Sequence, residues 1–558
     1  MTRRMLAAAI AATLALLLAA CASLPTSGPV NRGLVPEEES EAPFAFVPAR
    51  PQPGATPEEI VDGFLRAGTG VTDNWLRARE YLAPSIREQW RPSAGVTVDV
   101  SVDRVIGSND EGRVSVRLVT VASVDAQGAY EPSDQSTATL DFELAQQADG
   151  EWRITAAPDG IVLGRDVFPR VFHRYSVMFF DPTWTYLVPD TRWYPTAYAV
   201  VRIAAAVVDG VPTPWLSESV VSAFPESVQL EPASVPLSGG VAQVGLSTNA
   251  LALDTTTHSR MQAQLDASLA TAGVASVEMS VGSAPIDVTA APTRSTRVSG
   301  PPLVLTEAGF GFLSGEELTE IPGLSDAVVA QSPTAVQVAP ERDLAAVRRP
   351  DGAAVRVEAS GAWILADARA GLASPSIDPH GYVWSAIVDD PASLQAVGDD
   401  GEAIAIADAW PGAARITAFS VSRDGARIAA AVSVGGEHEV WVAGVVRDGQ
   451  VPVRLGEGDP LMLGSLAGEA LSLTWLDDTT IGVVARTGDD RVVVEQPTGG
   501  SATSYIGPPD AVSLAAANPL SNLRVRSADD AMFVRRGTNW TESATGVLVL
   551  ATQQGAPQ

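Results

Sequence analysis

The chain contains no lysine, so its positive side chains are all arginines apart from four histidines. This absence excludes the P-loop lysine, Schiff-base chemistry and Ser-x-x-Lys acyl transfer. The 558 residues also include a single cysteine, so no intramolecular disulfide can form. The common covalent chemistries therefore have few residues to use.

Basic residues are scarce overall. The chain has 37 arginines against 66 Asp and Glu residues, which gives a net charge of −29. Such a balance argues against a nucleic-acid partner, because phosphates reward clustered basic side chains. It also argues against electrostatic docking on anionic lipid. Hydrophobic residues make up 46% of the chain, which is enough for packed cores, and the length suggests about three to four domains.

Motifs for catalysis or metal binding are missing. The histidines, His173, His258, His380 and His438, form no His-Glu-x-x-His motif or other close ligand spacing. The segment Gly464-Ser465-Leu466-Ala467-Gly468 has its serine misplaced for a nucleophile elbow. The acidic pairs Asp399-Asp400 and Asp477-Asp478 leave a cation site open, although turns of this composition are more often simply solvated. We expect no enzyme, no cofactor and no metal site.

The start of the chain has the pattern of a secretory signal peptide. Arg3 and Arg4 precede an apolar run that ends at Ala20, and this run is shorter than the roughly 20 residues that a membrane-spanning helix needs. The lone cysteine, Cys21, follows at once. Leu18-Ala19-Ala20-Cys21 resembles the lipobox of bacterial lipoproteins. The alternative is an ordinary secreted protein that is cut nearby and keeps a spare thiol.

These patterns predict a signal peptide over residues 1–20 and a lipidated cysteine followed by a disordered tether over residues 21–54. The tether is rich in proline and glutamate, a composition that does not support a packed core.

The segment 55–165 is predicted to be an α+β domain. Thr56-Pro57-Glu58-Glu59 carries a capping box with proline in the first turn, which marks the start of a helix. Apolar residues then alternate from Val114 to Val121 and in later segments that end with Gly150-Glu151-Trp152-Arg153-Ile154, as in antiparallel strands. Helices followed by such a sheet resemble the cone-shaped fold of nuclear-transport-factor-2-like (NTF2-like) domains.

The segment 166–290 is predicted to be a second α+β domain. A helix from Ala197 to Val208 ends before Gly210, and a hairpin turns at Gly239-Gly240. A second helix carries Met261, Leu265 and Leu269 at intervals of four, which predicts one buried stripe. The helices, the Ala223-Phe224-Pro225 corner and the following strands resemble the GerMN domain of sporulation and spore-germination proteins, a family with no known enzymatic role.

After a linker over residues 291–302, the segment 303–553 is predicted to be an all-β propeller. Four segments repeat the pattern of a strand end, a polar turn and a second strand, about 40 to 55 residues apart, as propeller blades require. The turns are Glu341-Arg342-Asp343, Asp378-Pro379-His380-Gly381, Ser422-Arg423-Asp424-Gly425 and Asp477-Asp478-Thr479-Thr480. The third resembles the turn of TolB-like and WD40-like propellers. A β-sandwich is the alternative architecture.

The order of lipobox, tether, α+β domain, GerMN-like domain and propeller resembles the LpqB family of actinobacterial lipoproteins. The resemblance implies that Cys21 becomes an S-diacylglycerol cysteine with an N-acyl chain such as palmitate. It implies an anchor on the extracytoplasmic face of the cell membrane. The implied partner is the extracytoplasmic domain of an MtrB-like sensor histidine kinase.

Two hypotheses about function follow. The first is an accessory protein that modulates a two-component system of the MtrA–MtrB type in envelope homeostasis and cell division. The second is a propeller-based envelope hydrolase or a glycan-binding protein. Paired carboxylates about 5 to 10 Å apart in the mouth of the propeller would favour a hydrolase.

Overall fold

The computed structural model describes residues 48–109, 112–133, 135–298, 300–457, 459–516 and 522–557. The predicted signal peptide, Cys21 and most of the tether lie outside the described residues. No helix in this described part of the chain is both long enough and apolar enough to cross a lipid bilayer. The chain is multidomain and mostly β, with two α+β domains followed by a propeller, as the sequence predicts.

In the first domain, one helix packs against a β-sheet and a second helix packs against the first. Its sheet runs in the order β6-β5-β3-β1-β7, with β2 and β4 also paired to β3. The capping box of α1 is confirmed, because Thr56 Oγ1 accepts from Glu59 N at 3.3 Å and Glu59 Oε2 accepts from Thr56 N at 2.9 Å. The elements are α1 Pro57–Ala67, α2 Thr72–Arg79, β1 Gly95–Asp99, β2 Val105–Ser108, β3 Arg113–Asp125, β4 Tyr130–Pro132, β5 Thr137–Gln146, β6 Trp152–Ala156 and β7 Ile161–Gly164, with 3₁₀ turns at Pro92–Ala94 and Ser101–Asp103.

The second domain contains a long two-stranded ribbon, a four-stranded sheet and two main helices. The sheet runs β10-β11-β12-β13, and its central pair is parallel. Met261, Leu265 and Leu269 are all buried, which confirms the predicted stripe of α5. The elements are α3 Phe168–Val171, β8 Phe172–Phe180, β9 Leu187–Pro195, α4 Ala199–Asp209, β10 Leu237–Ser238, β11 Val241–Gly245, α5 Thr255–Ala270, β12 Ser276–Val281 and β13 Ala284–Ile286, with 3₁₀ turns at Thr196–Tyr198, Pro214–Leu216 and Thr248–Ala252.

The third domain is a propeller with six blades among the described residues. Its first blade joins the two ends of the domain, because the last strand pairs antiparallel with the strand that starts at Leu303. Blades 1 to 3 are β14 Leu303–Thr306, β15 Gly309–Ser314, β16 Glu317–Glu320 with β38 Val549–Gln553; β17 Ala335–Val338, β18 Leu344–Arg348, β19 Ala354–Glu358, β20 Trp363–Asp367; and β21 Ser376–Ile377, β22 Val383–Ile387, β23 Asp390–Val397, β24 Ala403–Ala405. A short helix, α6 Leu324–Val329, precedes β17.

The remaining three blades follow in order along the chain. They are β25 Arg415–Val421, β26 Arg427–Val434, β27 Glu437–Asp448, β28 Val451–Leu455 with the extra strand β29 Leu461–Leu466; β30 Glu469–Trp475, β31 Thr480–Thr487, β32 Asp490–Pro497, β33 Thr503–Ile506; and β34 Ala511–Ala515, β35 Arg524–Ser527, β36 Met532–Arg536, β37 Asn539–Ala544. The sequence repeats mark four of the six blades. Blade 1 lacks the repeat, because its inner strand, β38, comes from the other end of the domain.

Candidate functional site

The four histidines have separate structural surroundings. His258 Nε2 lies 2.8 Å from the carbonyl oxygen of Ala250, and His438 Nδ1 lies 3.0 Å from Ser433 Oγ. His173 lies in β8 and His258 in α5. His380 lies in a turn of blade 3, and His438 lies in β27. Among the described residues, no three His, Cys, Asp or Glu side chains are grouped so that they could hold a metal ion.

The two acidic turns differ from each other. Asp399 and Asp400 are exposed between β23 and β24, as expected of a solvated turn. Asp478 instead lies where the second domain and the linker approach the propeller. Burial raises the pKa of its carboxyl, although a hydrogen bond with Thr296 opposes this shift. Asp477 and Asp478 are both half-buried, so this turn is only partly solvated. The domain packing that covers it has no signal in the local sequence.

One face of the propeller is covered by the second domain. We define this covered face as the end at which inner strands turn into second strands, at Asp378 and Asp424. Arg423 is buried there, with Nη1 3.4 Å from the Thr296 carbonyl and Nη2 2.6 Å from the Trp475 carbonyl. Burial lowers the pKa of Arg423. The neighbouring Ala426 packs within the hydrophobic core of the second domain, so the two domains share a core.

Ion pairs on the covered face are fully buried. Arg447 Nη2 donates to Asp378 Oδ2 at 2.7 Å, and their side chains are 1% and 0% exposed. Trp384 Nε1 donates to the same oxygen at 3.0 Å. A second pair, Arg427 with Asp424, is 0% and 1% exposed. Each charge has an ion-pair partner, as buried charges need to persist, but Nε and Nη1 of Arg427 have no hydrogen-bond partner among the described residues.

A bidentate ion pair joins the second domain to blade 4 at the edge of this interface. The guanidinium of Arg454 donates to the two oxygens of Glu218 at 2.7 and 3.0 Å, and Glu457 N donates to Glu218 Oε2 at 2.6 Å. The hydrogen bonds with Arg454 and the Glu457 amide lower the pKa of Glu218 to about 2.

Trp193 lies where all three domains meet. Its ring packs on Tyr130 at 6.0 Å and on Phe168 at 4.7 Å. Its Nε1 donates to the Gly499 carbonyl of blade 5 at 2.8 Å, and its backbone N donates to the Gly128 carbonyl of the first domain at 2.8 Å. One residue of β9 thus ties the first domain and the propeller to the second.

A channel runs between the inner strands of the six blades. It encloses a cavity of about 410 Å³. Gln337, Ser376 and Gln554 form a hydrogen-bond network toward the covered face, in which Gln337 Oε1 accepts from Ser376 Oγ at 2.7 Å and from Gln554 Nε2 at 3.1 Å. Arg526 is the one charged side chain among the described residues that line the cavity. The described part of the lining contains no carboxylate pair of the kind that glycoside hydrolysis requires.

The opposite end of the propeller, where the inner strands begin, carries a chain of exposed ion pairs. Arg415 Nε donates to Asp389 at 2.7 Å and its Nη1 donates to Glu469 at 3.3 Å. Arg486 Nη2 donates to Glu469 at 2.7 Å. These four residues, which we call the open-face ion chain, link blades 3, 4 and 5. Their side chains are 28 to 77% exposed.

The sequence marks the turns that hold Arg423 and Asp478 but gives no sign that Trp193, Glu218 or Arg454 connects domains. Glu218 and Arg454 are 236 positions apart, and Trp193 is 306 positions from Gly499. No local pattern marks such partners. Cys21, the one site residue that the sequence predicts, lies outside the described residues.

Comparison with known proteins matches each domain separately. Residues 50–169 match the family described as Lipoprotein LpqB, N-terminal domain, and residues 308–549 match the Lipoprotein LpqB beta-propeller domain. Between them, residues 176–287 match the family described as Sporulation and spore germination. The three matches occur in the order that the sequence predicts.

Individual relatives carry the same family name. Lipoprotein LpqB of Thermobifida fusca is 34% identical over 47% of this chain, and the match spans 44% of the relative, less than half of its length. The protein of the same name from Cutibacterium acnes is 31% identical over 45% of this chain and 42% of its own. That of Mycobacterium tuberculosis is 28% identical over 85% of this chain and 84% of its own. With the domain matches, these relatives show that the chain belongs to the LpqB lipoprotein family.

Proposed function

We propose that this protein is a lipoprotein anchored through Cys21 on the extracytoplasmic face of the cell membrane, where it acts as an accessory to a sensor histidine kinase. The family name supports the lipoprotein assignment. The lone cysteine directly after an apolar leader supplies the attachment point. Because one acyl chain holds a protein on a bilayer only marginally, S-diacylglycerol and N-acyl groups together provide a stable anchor.

The observation that carries the accessory role is the difference between the two ends of the propeller. The second domain occupies the covered face, whereas the open-face ion chain is exposed to solvent. Arginines at the rim of a free surface favour association and register with a charged partner. The propeller mouth therefore provides a docking surface for the extracytoplasmic domain of an MtrB-like kinase.

The domain junctions suit this role. Trp193 and the Glu218–Arg454 pair connect the domains through hydrogen bonds, ring contacts and an ion pair. A scaffold of this kind presents its docking surface with little conformational entropy to lose on binding. The hydrolase alternative is weaker, because the described channel lining has no acidic side chain.

Charge reversal on the open face tests the docking proposal. The double variant Arg415→Glu/Arg486→Glu should reduce binding of the kinase extracytoplasmic domain at least about tenfold, because like charges then face one another at the interface. It should also change phosphorylation of the response regulator in cells. Arg113→Glu is the matched control, because Arg113 is a similarly exposed arginine of the first domain. Equal losses in both variants, or no loss in the double variant, would refute docking at this face.

Anchoring is tested separately. Cys21→Ala should release the protein from the membrane fraction, because the acyl chains have no other attachment point. If the variant still sediments with membranes after a high-salt wash, the anchor lies elsewhere. Failure of this test leaves the docking surface unaffected, since the open face is more than 300 residues away along the chain.

A further inference from the structure

A cavity of about 270 Å³ lies between the first and second domains, away from the propeller mouth. Its volume is just below the range of about 300–1,000 Å³ for small-molecule sites, which often occur at domain interfaces. Five of its fifteen lining residues are aromatic. They are Trp75, Phe172, Trp193, Tyr194 and Tyr198.

The backbone is shaped to form this cavity. Gly128 has a φ of +90°, and a Cβ there would lie 2.8 Å from the Tyr194 ring and 2.9 Å from the Trp193 carbonyl oxygen. Asn74 and Trp75 also line the cavity, and they and the preceding Asp73 have left-handed φ values between 51° and 56°. Runs of non-glycine residues in this region are strained and are held by their surroundings.

The polar atoms of the aromatic walls are already used within the protein. Trp75 Nε1 donates to the Gly68 carbonyl at 3.0 Å, and Trp193 Nε1 is bound to blade 5 as described above. Tyr194 Oη donates to the Gln127 carbonyl at 2.7 Å, and Tyr198 Oη donates to the Val71 carbonyl at 3.0 Å. Burial raises the pKa of Tyr194 to about 12, so its hydroxyl stays protonated. Trp75 and Tyr194 are only 4% and 3% exposed, whereas Trp193 and Tyr198 are partly exposed. The rings of Trp193 and Tyr198 are therefore the ones that a ligand can reach.

Unused polar groups remain at the rim. One Nη of Arg202 donates to the Ala126 carbonyl, and its guanidinium lies 5.3 Å from the centre of the Tyr194 ring. Its other two nitrogens have no partner among the described residues. Asp125 Oδ1 accepts from Gln127 N and Ala129 N, at 2.9 and 2.8 Å, while Oδ2 has no partner in the same described set. No ion pair joins Asp125 to Arg202.

The aromatic walls, together with the free polar groups of Arg202 and Asp125, limit the chemical class of the ligand. A proline-rich peptide is disfavoured, because it needs hydrogen-bond donors from the aromatic walls and those donors already bind groups within the protein. A cation would compete with Arg202 for the Tyr194 face. Asp125 at the rim disfavours an anion. A pyranose ring fits, because its C–H faces pack on aromatic rings while its hydroxyls bind a carboxylate and a guanidinium.

We infer that the cavity between the first and second domains binds a neutral pyranose, held between aromatic ring faces with its hydroxyls on Arg202 and Asp125. The site is separate from the open face of the propeller, so its failure and the failure of the kinase proposal are distinguishable. The ligand is either a free sugar or a terminal residue of a glycan.

Saturation-transfer NMR on the mature chain tests the inference, with the methyl pyranosides of glucose, galactose, mannose and N-acetylglucosamine as probes. At least one should receive saturation, chiefly at its ring C–H protons. Ser93 lines the cavity and is exposed, so Ser93→Trp should fill the space and weaken binding at least about tenfold. Arg202→Gln should weaken it by a similar factor of about ten through lost hydrogen bonds.

Matched controls separate binding from folding. Ser85→Trp adds the same bulk at an exposed site outside the cavity, and Arg170→Gln removes an exposed arginine of α3. Both should bind as the unaltered chain does, with unchanged thermal unfolding in all four variants. Absence of transfer to all four probes, or unchanged transfer in Ser93→Trp, would overturn the inference. A tetrasaccharide that ends in the bound sugar is then compared with the methyl pyranoside of that sugar. Tighter binding of the tetrasaccharide would identify the end of a glycan as the ligand, and equal binding would identify a free sugar.

Discussion

The two faces of the propeller carry ion pairs of opposite exposure. On the covered face, Arg447–Asp378 and Arg427–Asp424 are at most 1% exposed. On the open face, Arg415 is 44% exposed and its partner Asp389 is 77% exposed. Both faces belong to the same blades, so the difference arises from the second domain, which covers one end and leaves the other free.

The difference separates structural charges from charges that are free for binding. Removing one member of a buried pair leaves an uncompensated charge in a medium of low dielectric constant, which costs about 3–5 kcal/mol. Exposed pairs contribute about 0–1 kcal/mol, because water screens them. The open-face ion chain is therefore available for a partner with little consequence for folding.

The largest expected effect is on the covered face. Asp378→Ala should lower the free energy of unfolding by about 3–5 kcal/mol, because it leaves Arg447 buried without its carboxylate. It also removes the acceptor of Trp384 Nε1. Urea denaturation measures the change.

The matched control for this variant is Asp389→Ala, which lies at the opposite end of the same blade. Its effect should stay below about 1 kcal/mol. Similar losses in the two variants would contradict the division into structural and free charges.

A smaller effect is expected where the second domain approaches blade 4. A Cβ at Gly444 would lie 2.5 Å from Ser219 Oγ and 2.9 Å from the Trp215 carbonyl oxygen. Gly444→Ala should therefore destabilise the protein by about 1–3 kcal/mol through overpacking. Gly107→Ala is the control, since nothing lies within 4 Å of a Cβ there. Equal melting temperatures for the two variants would show that the second domain moves aside without cost.

Local elements of the fold are predictable from the sequence, and the contacts between domains are not. The capping box at Thr56 and the stripe of Met261 and Leu265 depend on neighbours within four residues, so short patterns reveal them. Arg423 contacts a carbonyl 127 positions away. Such a contact depends on how whole domains pack, and no periodicity encodes it.

The number of blades shows the same limit. Asp378 and Asp424 lie in turns directly after an inner strand, and both turns appear in the sequence repeats. In blade 1 the inner strand β38 comes from the other end of the domain, so no such turn exists to recognise. The pairing of β14 with β38, which closes the propeller, joins residues from opposite ends of the domain and leaves no local sequence pattern.

The stability that Glu218 contributes at the edge of the covered face should decrease at acid pH. The folded pKa of Glu218 is about 2, below the ordinary value of 4.5, because Arg454 and the Glu457 amide stabilise the carboxylate. A group with a lowered folded pKa contributes stability above its unfolded pKa and loses that contribution as the pH falls through the folded value. The stability difference between the unaltered chain and Glu218→Gln should therefore be constant above about pH 5 and shrink toward pH 2.

Denaturation at several pH values measures this difference, which should not exceed about 1 kcal/mol for a partly exposed pair. Arg454→Gln should give a weaker pH dependence of the same sign, since it removes the ion pair but leaves the hydrogen bond from the Glu457 amide. A difference that grows below pH 4 would mean that another group titrates at this edge.

The smallest expected effect concerns the centre of the open-face ion chain. Arg415 contacts both Asp389 and Glu469, and its hydrogen bond with Asp389 raises its pKa, yet it remains 44% exposed. Arg415→Ala should change the free energy of unfolding by less than about 1 kcal/mol, and added salt should reduce even that change. Urea denaturation at low and high salt measures both. A loss of several kcal/mol would show that the open face holds the blades together, and would leave it less free to serve a partner.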